Sequence, residues 1–465
     1  MTRKPVFVGL GIVVALVAAY VGAAAWSGQK TESLHREWLA RLQAQAPFLK
    51  LTGQSYRKGF LAASASTSFQ IGCAPAADKA PPVVTITETI HHGPFASGTI
   101  AAAVIDAQVS LAGEDGTRLA AKFTGPPLSV HTVVNFGGRF TSTVSSATAR
   151  FPMPGGAEVA WQGLTGTLEA SSEPTGPFSY RLKMPGLALT DAARGMSARL
   201  AGLDIQVDGS FVGGAGRLVV GKSRGSVEAM ELAMTMPAAT KEAARPVSVA
   251  FTGMTFESET SIADQLMAVR STFGGAGLVN GARIERFDMQ ASMKRLHAPT
   301  YEHLVDRMSS ASAACDGGKD ASPAALMAQM QTDLMALAAF NPEFALDKLT
   351  VDYAGKRGEF SYALGLQGVT AADTRLPPMA MLMTRAHATA AMRLPVAWIR
   401  QLSQEGSTRL QGAVPAPAVV DAMVDQAVDS GHMVRDGDYV RSSLDFSAGT
   451  MTVNGKVVSG AGKGR

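Results

Sequence analysis

Val83-Val84-Thr85-Ile86-Thr87-Glu88-Thr89-Ile90 alternates with a period of two, placing Val84, Ile86 and Ile90 on one face and threonines on the other. Side chains alternate across a strand, so this is the signature of a β-strand with one packed and one wetter face. The same period recurs downstream. In 227–236, Met230, Leu232, Met234 and Met236 alternate with Glu231, Ala233 and Thr235; in 284–293, Phe287, Met289, Ala291 and Met293 repeat the arrangement. Turn-formers stand between such runs: Gly137-Gly138, Gly155-Gly156, Gly213-Gly214, Gly274-Gly275 and Asn280-Gly281. Gly-punctuated alternating strands predict a large, mainly antiparallel sheet.

Helical spacing enters later. Tyr301, Leu304, Val305 and Met308 predict a helix from Pro299 to about Ser312. Ser322-Pro323 caps a second helix, with Leu326, Met330, Leu334 and Leu337 as its stripe. Strands near 344–353 and 358–368, helices over 377–404 and 416–430, and a final hairpin of 438–446 and 450–457 turning at Ala448-Gly449 complete an α+β class.

The N-terminus predicts location. Arg3 and Lys4 precede an uncharged run, Pro5 to Gln29, closed by Lys30. That length matches the ~20 apolar residues needed to cross a ~30 Å hydrocarbon core. The basic pair stays cytoplasmic, so residues 5–29 should anchor the chain in a bacterial inner membrane, single-pass, with the body in the periplasm. Ala23-Ala24-Ala25 offers a signal-peptidase site, but the run outlasts an ordinary signal core and ends in Trp26, which favours an uncleaved signal anchor. Gly11/Ala15 and Ala18/Gly22 have the small-xxx-small spacing of a homodimer seam, although the abundance of small residues explains it better by chance. Thr31 to Ala46 reads as an amphipathic helix with Leu34, Trp38, Leu39 and Leu42 on one face, stopped by Pro47. The expected organisation is therefore 1–30 cytosolic stub and anchor, 31–47 stalk helix, 48–298 β-rich domain, 299–343 helical segment, and 344–460 an α+β region packing on the β-rich domain.

Charged residues make up 17% of the chain, against ~25% in ordinary soluble domains, and the net charge is +4. That excess is too small and dispersed for nucleic acid, which demands a concentrated basic surface. Cys73 and Cys315 fall in a compartment where disulfides persist, so a bridge between them and two separate buried thiols are both open.

Two motifs resemble chemistry. Gly216-Arg217-Leu218-Val219-Val220-Gly221-Lys222-Ser223 matches the phosphate-binding loop literally, but its variable part is strand material and no helix follows to aim amides at a phosphate. Gly221-Lys222-Ser223-Arg224-Gly225 matches a nucleophile elbow, yet lies between strands and reads as a hairpin turn. His91-His92 and His297/His303 lack metal-ligand spacing, and Asp421, Asp425 and Asp429 form an i, i+4 row that reads as a solvated helix face. No catalytic residue, metal or cofactor is expected.

Several short motifs occur in order: Gln54-Ser55-Tyr56-Arg57-Lys58-Gly59-Phe60, His92-Gly93-Pro94-Phe95, Trp161-Gln162-Gly163-Leu164, Met184-Pro185-Gly186-Leu187, Asn341-Pro342 and Met451-Thr452-Val453-Asn454-Gly455-Lys456. With the N-terminal run, the chain resembles the YdgA-like proteins of Gram-negative bacteria, a family of unknown function anchored in the inner membrane. The resemblance implies a periplasmic body on one helix and brings no catalytic residues. The leading expectation is a non-enzymatic envelope protein whose extended sheet binds or shields a lipid or other apolar ligand, with Met230, Met234, Met289 and Met293 on the ligand face. The rival is a scaffold acting through a surface patch on another envelope protein, with its apolar faces wholly buried; an uncharacterised hydrolase ranks third, for want of a nucleophile in context.

Overall fold

The computed structural model describes Leu39, Ala46 and residues 49–460, apart from 60–61, 72–82, 93–94, 154, 172, 174, 213–217, 237–244, 314–322 and 402–416. The expected anchor, Cys73 and Cys315 lie outside the described residues, as does nearly all of the 31–47 segment. Leu39 of that segment is helical and 2% exposed, within the core of the first unit. Among the described residues no helix is long and apolar enough to cross a membrane.

The body is mostly antiparallel β-sheet with a few helices, in two compact units: Met1–Ser248 with Glu302–Met330, and Val249–Tyr301 with Gln331–Arg465. The first contains β1 (Leu49–Lys58), β2 (Ala62–Ile71), β3 (Val83–His92), β4 (Phe95–Ala96), β5 (Thr99–Ile100), β6 (Ala103–Leu111), α1 (Gly113–Ala120), β7 (Leu128–Val134), β8 (Arg139–Ser146), β9 (Ala149–Pro152), β10 (Glu158–Trp161), β11 (Leu164–Ser171), β12 (Pro177–Asp191), β13 (Met196–Val212) and β14 (Leu218–Met236). Pairing runs β1-β2-β3-β6-β7-β8-β11-β12-β13-β14, with β10 between β9 and one end of β12.

The opening stretch is β3, and its even positions face the core as the alternation requires. Val84, Ile86 and Ile90 are buried among Ala63, Phe69, Ile105, Val130 and Val144. Glu88 shares their face, opposite Ala65 on β2 and Ala107 on β6. Burial pushes its carboxyl up to about 8. Deeper along the sheet, the hydroxyls of Thr132 and Ser142 satisfy one another at 2.7 Å within the core.

The second unit carries β15 (Arg245–Ala263), β16 (Leu266–Val279), β17 (Ala282–His297), β18 (Glu343–Tyr353), β19 (Lys356–Leu366), α4 (Pro378–Arg385), β20 (Ala386–Pro395), α5 (Pro417–Asp429), β21 (Val434–Asp436), β22 (Tyr439–Ser447), β23 (Thr450–Val453) and β24 (Lys456–Gly460). Helices α2 (Ala298–Ala313) and α3 (Pro323–Ala338) connect β17 to β18. On the predicted α3 stripe Leu337 is buried, whereas Leu334 is exposed. The strands pair in the order β15-β16-β17-β18-β19-β20-β22-β23-β24, with β21 on β22. The turns at Asn280-Gly281, Ala448-Gly449 and Asn454-Gly455 put both residues at positive φ, the geometry of tight two-residue hairpins.

Three local expectations need correction. The 377–404 helix is instead α4, then strand β20, then helix over 396–401, with 402–404 outside the described residues. Edges offered on both sides by β19 and β22 override the helical propensity of Ala386–Met392. Gly274-Gly275 lies inside β16 rather than at a turn, where a Cβ on Gly275 would press on Met254 and Phe287 at 3.2 Å. Gly221–Gly225 likewise lies within β14, with Gly221 opposite Gly209 and its φ at +137°.

Candidate functional site

The second unit's sheet sorts its residues by face. Directly opposite residues share a face, and register places Phe256, Phe273, Met289, Leu349, Phe360 and Met392 in one transverse row from β15 to β20. The next row on that face reads Ser258, Ser271, Ala291, Leu346, Tyr362, Ala390, Leu444 and Val453. A third reads Thr260, Val269, Met293, Phe344, Leu364, Ala388, Phe446 and Met451. A register shift between Leu346 and Leu349 turns β18 by one residue and keeps its leucines with their partners.

This face is only partly covered. At one end Trp398 of the 396–401 helix lies over Gly358, where a Cβ would stand 2.3 Å from the indole, and its Nε1 donates to the Tyr353 carbonyl at 3.2 Å. Val396, Val424 and Val440 are buried together beside it. Away from that end, Phe273, Phe344, Phe360, Tyr362 and Leu364 are between 38% and 51% exposed. A contiguous apolar strip of this kind is unusual on a protein surface.

The opposite face is polar, with rows such as Glu257, Thr272, Gln290 and Lys348, and Thr350, Glu359, Arg393 and Arg441. A concavity of about 650 Å³ opens over it, lined by Lys348, Glu359, Ser361, Arg393, Arg441 and Ser443 among others. Arg393 donates to Asp436 at 3.0 Å and stacks 3.7 Å from the Tyr439 ring centroid. Both signs of charge line the hollow. Elsewhere carboxylates are held by cations: Glu343 accepts from Lys294 and Arg295, and Asp352 from Arg357, each lowered below its usual range by those hydrogen bonds.

The four methionines divide between the units. Met289 and Met293 stand on the apolar face just described, partly buried. Met230 and Met234 belong to β14 of the first unit, where Met230 continues a row through Leu200, Leu187 and Trp161 and is 38% exposed. Sequence reasoning missed Phe344, Phe360, Tyr362 and Leu364, because β18 and β19 read as strands with no assigned face.

The described part of the loop-like motifs is strand. Leu218 to Ser223 opens β14, which continues as strand to Met236. Asp421 and Asp425 are not merely solvated; they pair with Arg400 and Arg435. His303 is exposed, whereas His297 stacks on Phe340 and hydrogen-bonds Thr300 and Gln265. Among the described residues no group of His, Cys, Asp and Glu is placed to hold a metal.

The family model described as "Bacterial protein of unknown function (DUF945)" matches residues 2–460. The chain belongs to that family. No curated protein and no solved structure matches it. In this DUF945 chain the ordered motifs have structural explanations. Trp161 donates to the Ser146 hydroxyl at 2.9 Å, and Gly163, at positive φ, passes so close to the Ser146 carbonyl that a Cβ would lie 2.8 Å from it. Asn341, at φ 54°, accepts from the Val369 amide while its own carbonyl accepts from Arg295. Asn454 accepts from the Ser443 amide and donates to the Gly431 carbonyl.

Proposed function

We propose that this DUF945 protein is a non-enzymatic envelope protein that binds or shields the acyl chains of a lipid on the apolar face of its second unit. Residues 5–29 would hold it in the inner membrane with the body in the periplasm, as the resemblance to the YdgA-like proteins implies. The observation that carries the reading is the half-exposed strip of Phe273, Phe344, Phe360, Tyr362 and Leu364, backed by Met289 and Met293. Flexible methionines beside fixed aromatic rings suit chains of varying length. Burial of a methylene is worth ~0.8 kcal/mol, so about ten methylenes along the strip would supply ~8 kcal/mol before association costs.

Native mass spectrometry of the detergent-extracted full chain tests this. A co-purifying lipid is expected on the wild-type protein and its loss on Leu364→Lys and Phe360→Lys. Bare wild-type protein would sink the lipid reading and favour a scaffold that acts through a surface patch on another envelope protein.

A further inference from the structure

We propose that the methionines on the apolar face of the second unit form a reversible oxidation site: peroxide turns them into sulfoxides, and the face then releases its lipid. The release rests on the lipid reading above, whereas the oxidation does not.

Every methionine that register pairs in β15 to β23 falls on the apolar face. Met289 stands opposite Phe273 and Leu349, Met293 opposite Val269 and Phe344, Met392 opposite Phe360, and Met451 opposite Phe446. Met267 joins them, opposite Ile262 and Leu296. These strands contain no cysteine, so the thioether is the sulfur that a mild oxidant meets here. Exposure divides the five. Met267 is sealed at 4%, whereas the other four are only partly buried, beside the half-exposed rings of Phe273, Phe344 and Phe360. A molecule as small as peroxide reaches those four sulfurs from the open side of the face.

The sulfur attacks one peroxide oxygen. The O–O bond breaks, an S–O bond forms, sulfur gives up two electrons, and the second oxygen leaves as water. Each event places a hydrogen-bond acceptor on a side chain that was apolar. The side chains directly opposite, such as Leu349, Val269, Phe344 and Phe446, have no donor to offer it. The sulfoxide oxygen therefore keeps water, and an acyl chain laid over it must strip that water away. The four sites run from β17 to β23, so oxidation wets the strip across its width rather than at one spot. Methionine sulfoxide reductases undo the change: a pair of thiols takes the oxygen off as water and becomes a disulfide.

The test uses the full chain, extracted in detergent and treated with rising hydrogen peroxide. Each dose is divided between peptide mass spectrometry for sulfoxide at every methionine, native mass spectrometry for bound lipid, and a melting curve. Met379 on α4 and Met423 on α5, 69% and 62% exposed, should oxidise first with the lipid retained. Met289, Met293, Met392 and Met451 should follow, ahead of Met267, and bound lipid should fall several-fold while the protein still melts as a folded one. Methionine sulfoxide reductases with dithiothreitol should then restore uptake of added phosphatidylethanolamine. Combining Met289→Leu, Met293→Leu, Met392→Leu and Met451→Leu, which keeps the apolar volume, should hold the lipid at every dose. Lipid retained on protein carrying the four sulfoxides, lipid lost from the leucine variant at the wild-type dose, or loss seen only as the protein melts would overturn the proposal. Untreated wild-type protein without lipid would instead overturn the lipid reading, and the release with it.

Discussion

Glu88 sits on the core face of β3 between Ile86 and Ile90, flanked across the sheet by alanines that bring no countercharge. Burial raises its carboxyl from 4.5 to about 8. Between those values the folded chain keeps a proton that the unfolded chain has lost, so stability must fall as pH rises from about 4.5 to about 8 and level off beyond. At ~1.4 kcal/mol per pH unit, the loss is several kcal/mol. Glu88→Gln, which cannot ionise, should flatten this dependence and make the protein more stable than wild type at pH 8. Thermal melts of both proteins at pH 5 and pH 8 check it; parallel pH dependences would show that the carboxyl is not held neutral. Asn454 gives a second expectation at this scale. It combines φ 49° with two hydrogen bonds, to the Ser443 amide and the Gly431 carbonyl. Asn454→Ala should cost ~1–3 kcal/mol, and Asn454→Gly less because it removes only the bonds. The alternation that places Glu88 on the core face was legible in the sequence. The alanines opposite it were not, because neighbours across a sheet are set by register.

At the scale of elements, regular strands were readable and overrides were not. β3, β17, β18 and β22 follow their period-two or turn signals. β20 does not, since Ala386–Met392 carries no alternation strong enough to outweigh helix-favouring alanines; two strand edges supply the missing instruction. The 396–401 helix then starts just after Pro395, and its Trp398 crosses Gly358 of β19. That contact needs the glycine, so Gly358→Ala should displace the indole and destabilise the protein by ~1–3 kcal/mol. In a Trp398→Leu background the same change should cost less. Denaturation midpoints of the four proteins of this double-mutant cycle measure the coupling, and additive costs would refute the contact. Glycines inside β14 and β16 teach the same lesson. The pattern predicts turns at Gly221 and Gly275, but they serve the close approach of neighbouring strands, which one-dimensional pattern cannot distinguish from a bend.

For the whole molecule, the question is whether the apolar strip of the second unit is unfinished core or a working surface. The two differ in what a polar substitution does. A side chain already half in water contributes only part of the ~1.5–3 kcal/mol that full burial supplies. Leu364→Gln or Phe360→Gln should therefore shift the melting temperature little, near the range of surface changes. Ile105→Ala or Val130→Ala, in the sealed core of the first unit, should each cost ~1–4 kcal/mol. If the strip is a working surface, the two glutamine variants lose an apolar fluorescent probe that the wild-type chain takes up, while the two alanine variants keep it at temperatures where they remain folded. If it is core, the order reverses, and the glutamine variants melt early with probe uptake increasing as they loosen. Measuring melting temperature and probe fluorescence on the same four variants separates these cases. The expected result is that affinity follows Phe360 and Leu364 while stability follows Ile105 and Val130, because exposure is what frees a side chain from folding duty and makes it available to something else.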